Sequence, residues 1–176
     1  QMLAMISLPF FLQNTLGHSE VMTGLLLTPW PLATLFAAPA AGYLVERIHP
    51  GILGSIGMGI FCIGLYSLST LDAESSILSI CLRLAVCGIG FGLFQTPNNS
   101  TIIASAPTKR SGGASGMLGM ARLMGQTLGT TLVALLFSWV VGSESTEVCL
   151  ITGSVFALIA AIVSSLRLSQ PSVLKE

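Results

Sequence analysis

Two arginines stand where charge is costly. Arg83 and Arg122 both fall inside long apolar runs. At 1.5 Å of helical rise per residue, Arg83 lies roughly 9 Å into its run and Arg122 roughly 15 Å into its own. A guanidinium near the centre of a bilayer costs at least ~2.5–3.5 kcal/mol, so such a residue faces a bundle interior, a partner group or water. Arg83 is near enough to an end to snorkel outward instead. Arg122 is deeper, with Gln126 one turn on and Ser115 and Gly119 on the same face. That polar stripe points to an interior role, either a clamp on backbone carbonyls or a solute- or proton-linked site. Catalytic chemistry has no support. No Ser/His/Asp or Cys/His set occurs at a plausible depth, and Cys62, Cys81, Cys87 and Cys149 show neither a CxxC nor a Cys/His metal spacing. We expect free thiols, no metal and no cofactor.

The elements that must carry these residues are membrane helices. The chain has 176 residues, 52% of them hydrophobic and 8% charged, with a mean hydropathy of +0.86. A water-facing domain carries about 25% charged residues. The composition excludes a soluble enzyme, a nucleic-acid binder and a disordered chain. A helical span needs about 20 mostly apolar residues, and five stretches satisfy this: 23–45, 51–71, 77–97, 113–141 and 148–166. The stretch 2–13 is apolar but too short, and it reads as a helix cut at its N-terminal end. The expected fold is all-α, a bundle of six helices with the first truncated, and residues 1–176 read as a fragment.

Charge sets the expected orientation. The connectors at His18–Glu20, Asp72–Ser76 and Ser143–Glu147 hold Glu20, Asp72, Glu74, Glu144 and Glu147, with no Lys or Arg. The alternate connectors and the tail hold Arg47, Lys109, Arg110, Arg167 and Lys175. The positive-inside rule puts the basic set and the C-terminus in the cytoplasm.

Small residues and prolines shape the spans. Gly112 and Gly116, then Gly125 and Gly129, repeat at four-residue spacing, the pattern of close helix packing in lipid. Gly88, Gly90 and Gly92 are too dense for one contact face. Pro29, Pro31 and Pro39 predict a bend in the first full span, either static or lining a cavity. No Asp or Glu lies within a span. Proton coupling would therefore need a carboxylate from elsewhere, or it does not operate.

Two segments carry a family resemblance. Gly42-Tyr-Leu-Val-Glu46-Arg47-Ile-His49-Pro50-Gly51 resembles the signature loop of the major facilitator superfamily, Gly-x-Leu-x-Asp-Arg-x-Gly. Glu46 stands for the Asp and His49 for the second Gly. The stretches Gly88–Asn99, Ser111–Gly116 and Arg122–Gly129 are similar to the C-terminal half of the fourteen-span multidrug/proton antiporter branch, the EmrB/QacA type. The resemblance implies a two-bundle carrier rocking about a midplane site. It implies a cytoplasmic brace at Gly42, Glu46 and Arg47, and cavity candidates Gln95, Asn98 and Asn99 beside Arg83, Arg122 and Gln126. The implied function is proton-coupled efflux of small amphipathic or cationic drug-like compounds across a bacterial cytoplasmic membrane. The implied partners are the lipid bilayer, a missing N-terminal bundle of the same chain, a small-molecule substrate and protons, with no nucleic acid. The alternatives are a carrier for another small solute, such as a sugar or metabolite, and a truncated membrane protein that transports nothing.

Overall fold

The computed structural model describes residues 1–72, 74–107, 111–140, 142 and 144–166. All their regular structure is helical: α1 (Met2–Asn14), α2 (Glu20–Leu27), α3 (Pro29–Val45), α4 (Pro50–Ser69), α5 (Ile77–Ala104), α6 (Ser111–Trp139) and α7 (Glu144–Leu166). Helices α2 and α3 together form one span, Glu20–Val45, so five helical units are long and apolar enough to cross a membrane, beside the shorter α1. The six-helix all-α expectation is met. Of the basic residues that set the expected orientation, Lys109, Arg110, Arg167 and Lys175 lie outside the described residues.

The prolines break the first full span at one point. Pro29 and Pro31 have no N–H to give to the turn before them. The helix pauses at Thr28, whose N–H reaches back only to the Leu25 carbonyl at 3.2 Å, and α3 restarts with proline in its first turn. Pro97 ends nothing. Helix α5 continues past it to Ala104, and the Ser100 and Thr101 hydroxyls donate to the Thr96 and Pro97 carbonyls at 3.0 and 2.8 Å. At 28 residues, α5 is about 42 Å long, well over the ~30 Å hydrocarbon core.

Helix α5 lies between α3 and α4. Trp30, Phe61, Leu65, Leu84 and Cys87 form the centre of the buried core, where the Trp30 and Phe61 rings meet edge to face at 5.6 Å. Hydroxyls link the helices where side chains are short. Thr34 Oγ1 donates to the Gly88 carbonyl at 3.1 Å, joining α3 to α5. Thr146 Oγ1 donates to the Ser7 carbonyl at 3.2 Å, joining α7 to α1. Ser164 Oγ donates to the Gly51 carbonyl at 3.3 Å, joining α7 to α4.

One end of the bundle gathers the acidic connectors. Asp72 and Glu147 border a single pocket there with Thr15 and Ser69. Helix α6 is the outlying element. Val133 is its one buried residue, while Met117, Met120, Met124 and Leu128 are exposed.

Candidate functional site

A cleft of about 570 Å³ opens between α5 and α6, with Gln1 and Met2 at its edge. It is built from two helical stripes. Helix α5 contributes Phe91, Phe94, Gln95, Asn98, Asn99 and Ile102, and α6 contributes Leu118, Ala121, Arg122, Gly125 and Gln126. Spacings of three and four residues place each set on one face of its helix. The two faces oppose each other across the cleft. The volume is that of a small-molecule site, usually 300–1,000 Å³.

The polar groups on these stripes are unusual for apolar helices. On α5 and α6 four carboxamides and one guanidinium line a wall otherwise made of Phe, Leu, Ile and small residues. Among the described residues no hydrogen bond or ion pair occupies the Arg122 side chain. Arg122 lies about 16 Å along α6 from Ser111. The Phe91 ring is held from behind by Phe61, with ring centroids 5.8 Å apart. The arrangement offers hydrogen-bond donors and one positive charge beside an aromatic wall. It offers no nucleophile or general base, and no groups of His, Cys, Asp or Glu able to hold a metal occur among the described residues.

The structure thus unites five of the six predicted cavity residues: Arg122, Gln126, Gln95, Asn98 and Asn99. Arg83 does not join them. Its Nη1 donates to the Ser67 carbonyl and to Thr70 Oγ1 at 2.9 Å, so it closes the C-terminal end of α4. A helix C-terminus carries unpaired carbonyls and partial negative charge, which is where a cation near a helix end is drawn. Sequence reasoning missed Phe91, Phe94, Ile102 and Leu118. Their signal was their helical register with Gln95 and Arg122.

The proposed packing glycines divide. A Cβ on Gly129 would stand 3.0 Å from Met2 Cβ, so this glycine does sit at a helix contact, with α1. A Cβ on Gly112, Gly116 or Gly125 would meet nothing within 4 Å. Among the described residues those three face open space. The tight glycines are elsewhere. A Cβ on Gly64 would strike Cys87 Sγ at 2.6 Å, and one on Gly88 would strike the Trp30 carbonyl oxygen.

In the signature-like loop, Glu46 closes the C-terminal end of α3. The Arg47 guanidinium stands over the Tyr43 ring at 4.7 Å, and Gly42 is unobstructed. His49 has a local purpose. Its Nδ1 accepts from the Gly51 N–H at 3.1 Å and so caps α4.

Comparison with known proteins agrees with this architecture. The sequence matches the Major Facilitator Superfamily profile over residues 1–176. It is 58% identical over 171 residues to the uncharacterized transporter YebQ of Escherichia coli K12, covering 97% of this chain and 37% of that protein. It is 33% identical over 130 residues to multidrug resistance protein Stp of Mycobacterium tuberculosis, covering 73% of this chain and 24% of that protein. It is 30% identical over 138 residues to riboflavin transporter RibZ of Clostridioides difficile, covering 78% of this chain and 30% of that protein. The chain therefore spans little more than a third of the length of these relatives, or less. With six apolar helical units and an end-to-end match, the chain belongs to the Major Facilitator Superfamily.

Proposed function

We propose that this chain is one six-helix bundle of a secondary active transporter that exports small amphipathic compounds in exchange for protons. The carrying observation is the α5–α6 cleft, where Arg122 and four carboxamides line a drug-sized space in otherwise apolar helices. Such polar groups are costly in lipid and mark a solute path. Similarity to a protein named for multidrug resistance supports export. In this reading the Arg47 loop and the C-terminus face the cytoplasm, and the second bundle closes the cleft from the α6 side. The proton-carrying carboxylate also comes from outside these spans, since the cleft residues include none. A carrier for another small solute is the second reading, supported by similarity to a riboflavin transporter.

The test uses the full-length protein in inverted membrane vesicles energised by respiration, with an acridine dye reporting the pH gradient. Across a panel of amphipathic compounds that includes ethidium and 2-naphthoate, at least one should release protons only from vesicles holding the protein, and an uncoupler should abolish the response. No release with any of a broad amphipathic panel defeats proton-coupled export. Gradient-independent uptake of one solute would favour the second reading.

A further inference from the structure

We infer that the solute held in the α5–α6 cleft is an amphipathic organic anion, its acid group on Arg122 and its ring-bearing body against Phe91 and Phe94. The inference rests on the reading of this cleft as the solute site and narrows it to a substrate class. Arg122 is the single charged side chain among the described residues lining the cleft. A guanidinium pairs best with an oxyanion, to which it presents a planar two-pronged fork. A cationic solute in the same space meets repulsion from that charge.

The surroundings of Arg122 suit an incoming acid group. Ala121 and Gly125 flank it on the cleft face, and a Cβ on Gly125 would meet nothing within 4 Å. Small neighbours leave the guanidinium approachable. Gln126, one turn on, can donate a further hydrogen bond from its amide. Across the cleft, Phe91 and Phe94 are partly exposed, and Phe91 is backed by Phe61 at 5.8 Å. An ordered aromatic wall facing a lone cation fits a molecule that is acidic at one end and flat and apolar at the other.

Three ligands of one shape test this: 2-naphthoate, 2-naphthamide and 2-naphthylmethylammonium, titrated calorimetrically into the full-length protein at pH 7. The naphthoate should bind at least about tenfold more tightly than the amide, as a hydrogen bond to a charged group supplies, and the ammonium most weakly. Arg122→Gln should remove that preference by weakening the naphthoate more than the amide, and Arg122→Lys should fall between, keeping charge without the fork. Should Arg122→Gln fail to accumulate, the ranking in the parent protein with Arg122→Lys still decides. The inference is overturned if the ammonium binds as well as the naphthoate, if the preference survives in Arg122→Gln, or if folded protein binds none of the three. Its failure is separate from that of the transport reading. Anion-selective binding without proton-coupled movement in vesicles leaves this inference standing and defeats export. Proton-coupled export of cations alone does the reverse.

Discussion

A Cβ on Gly57 would stand 2.8 Å from the carbonyl oxygen of Gly90, and a Cβ on Gly90 would stand 2.7 Å from that of Gly57. The two glycines bring the α4 and α5 backbones into direct contact. Two residues either side of Gly90 the helix has turned by about 200°, so Gly88 and Gly92 face α3 instead. A Cβ on Gly92 would reach Ala37 Cβ at 2.9 Å. Lipid gives helices no hydrophobic reason to associate, and close backbone approach supplies dispersion contact in its place.

Gly90→Ala should therefore overpack the α4–α5 contact at a cost of about 1–3 kcal/mol. Gly59→Ala is the matched control, because a Cβ there meets nothing within 4 Å. Heating the full-length protein before fluorescence-detected gel filtration should show an earlier loss of monodisperse protein for Gly90→Ala alone. Superimposed melting curves would remove the contact from the account.

Thr34→Val tests the smaller polar term. The Thr34 hydroxyl bonds the Gly88 carbonyl at 3.1 Å and its own helix at the Trp30 carbonyl at 3.0 Å. Interhelical hydrogen bonds in membranes are worth on average about 0.6 kcal/mol. The valine variant should lose about that much, and serine should recover part of it. A loss larger than that of Gly90→Ala would reverse the ranking of packing over polar links.

Much of this was legible in the sequence, for reasons that differ residue by residue. The spans follow from composition, since few charges leave long apolar runs no alternative. The break at Thr28 follows from Pro29 and Pro31, whose missing N–H groups act locally. The density of Gly88, Gly90 and Gly92 was visible, but its division between α3 and α4 depends on which helices flank α5. Arg83 was legible as costly, not as clamped: its acceptor is the Ser67 carbonyl, and every helix end offers such carbonyls. Gly112, Gly116 and Gly125 show the same limit from the other side. Four-residue spacing of small residues permits close packing, and it permits an open face equally well.

The ends of the bundle carry an orientation that labelling can check. Asp72 and Glu147 share one end, and α5 leads from there to Ser105 at the opposite end. In a full-length version lacking native cysteines, Glu74→Cys should react with a membrane-impermeant maleimide from outside, and Ser105→Cys only after the membrane is opened. Reaction of both from one side would defeat the assignment of the Arg47 end to the cytoplasm.

The two arginines of the spans should part company under substitution. Arg83 is committed within the chain, donating to the Ser67 carbonyl and to Thr70 Oγ1. Replacing it with glutamine leaves the end of α4 without its charged donor, a loss of about 1.5 kcal/mol for hydrogen bonds to a charged group. Arg122 has no such commitment among the described residues and lies in the cleft. We therefore expect Arg83→Gln to lower the melting temperature of the full-length protein while solute discrimination stays near that of the parent. Arg122→Ala should reach the membrane in normal amount, melt like the parent and transport poorly, with Arg122→Lys intermediate because the charge remains and the fork does not. Thermal melts and vesicle transport on the same preparations separate the two roles. Parental transport by Arg122→Ala would make that residue a passenger of the cleft. Failure of Arg122→Ala to accumulate would make it a structural element, as Arg83 is.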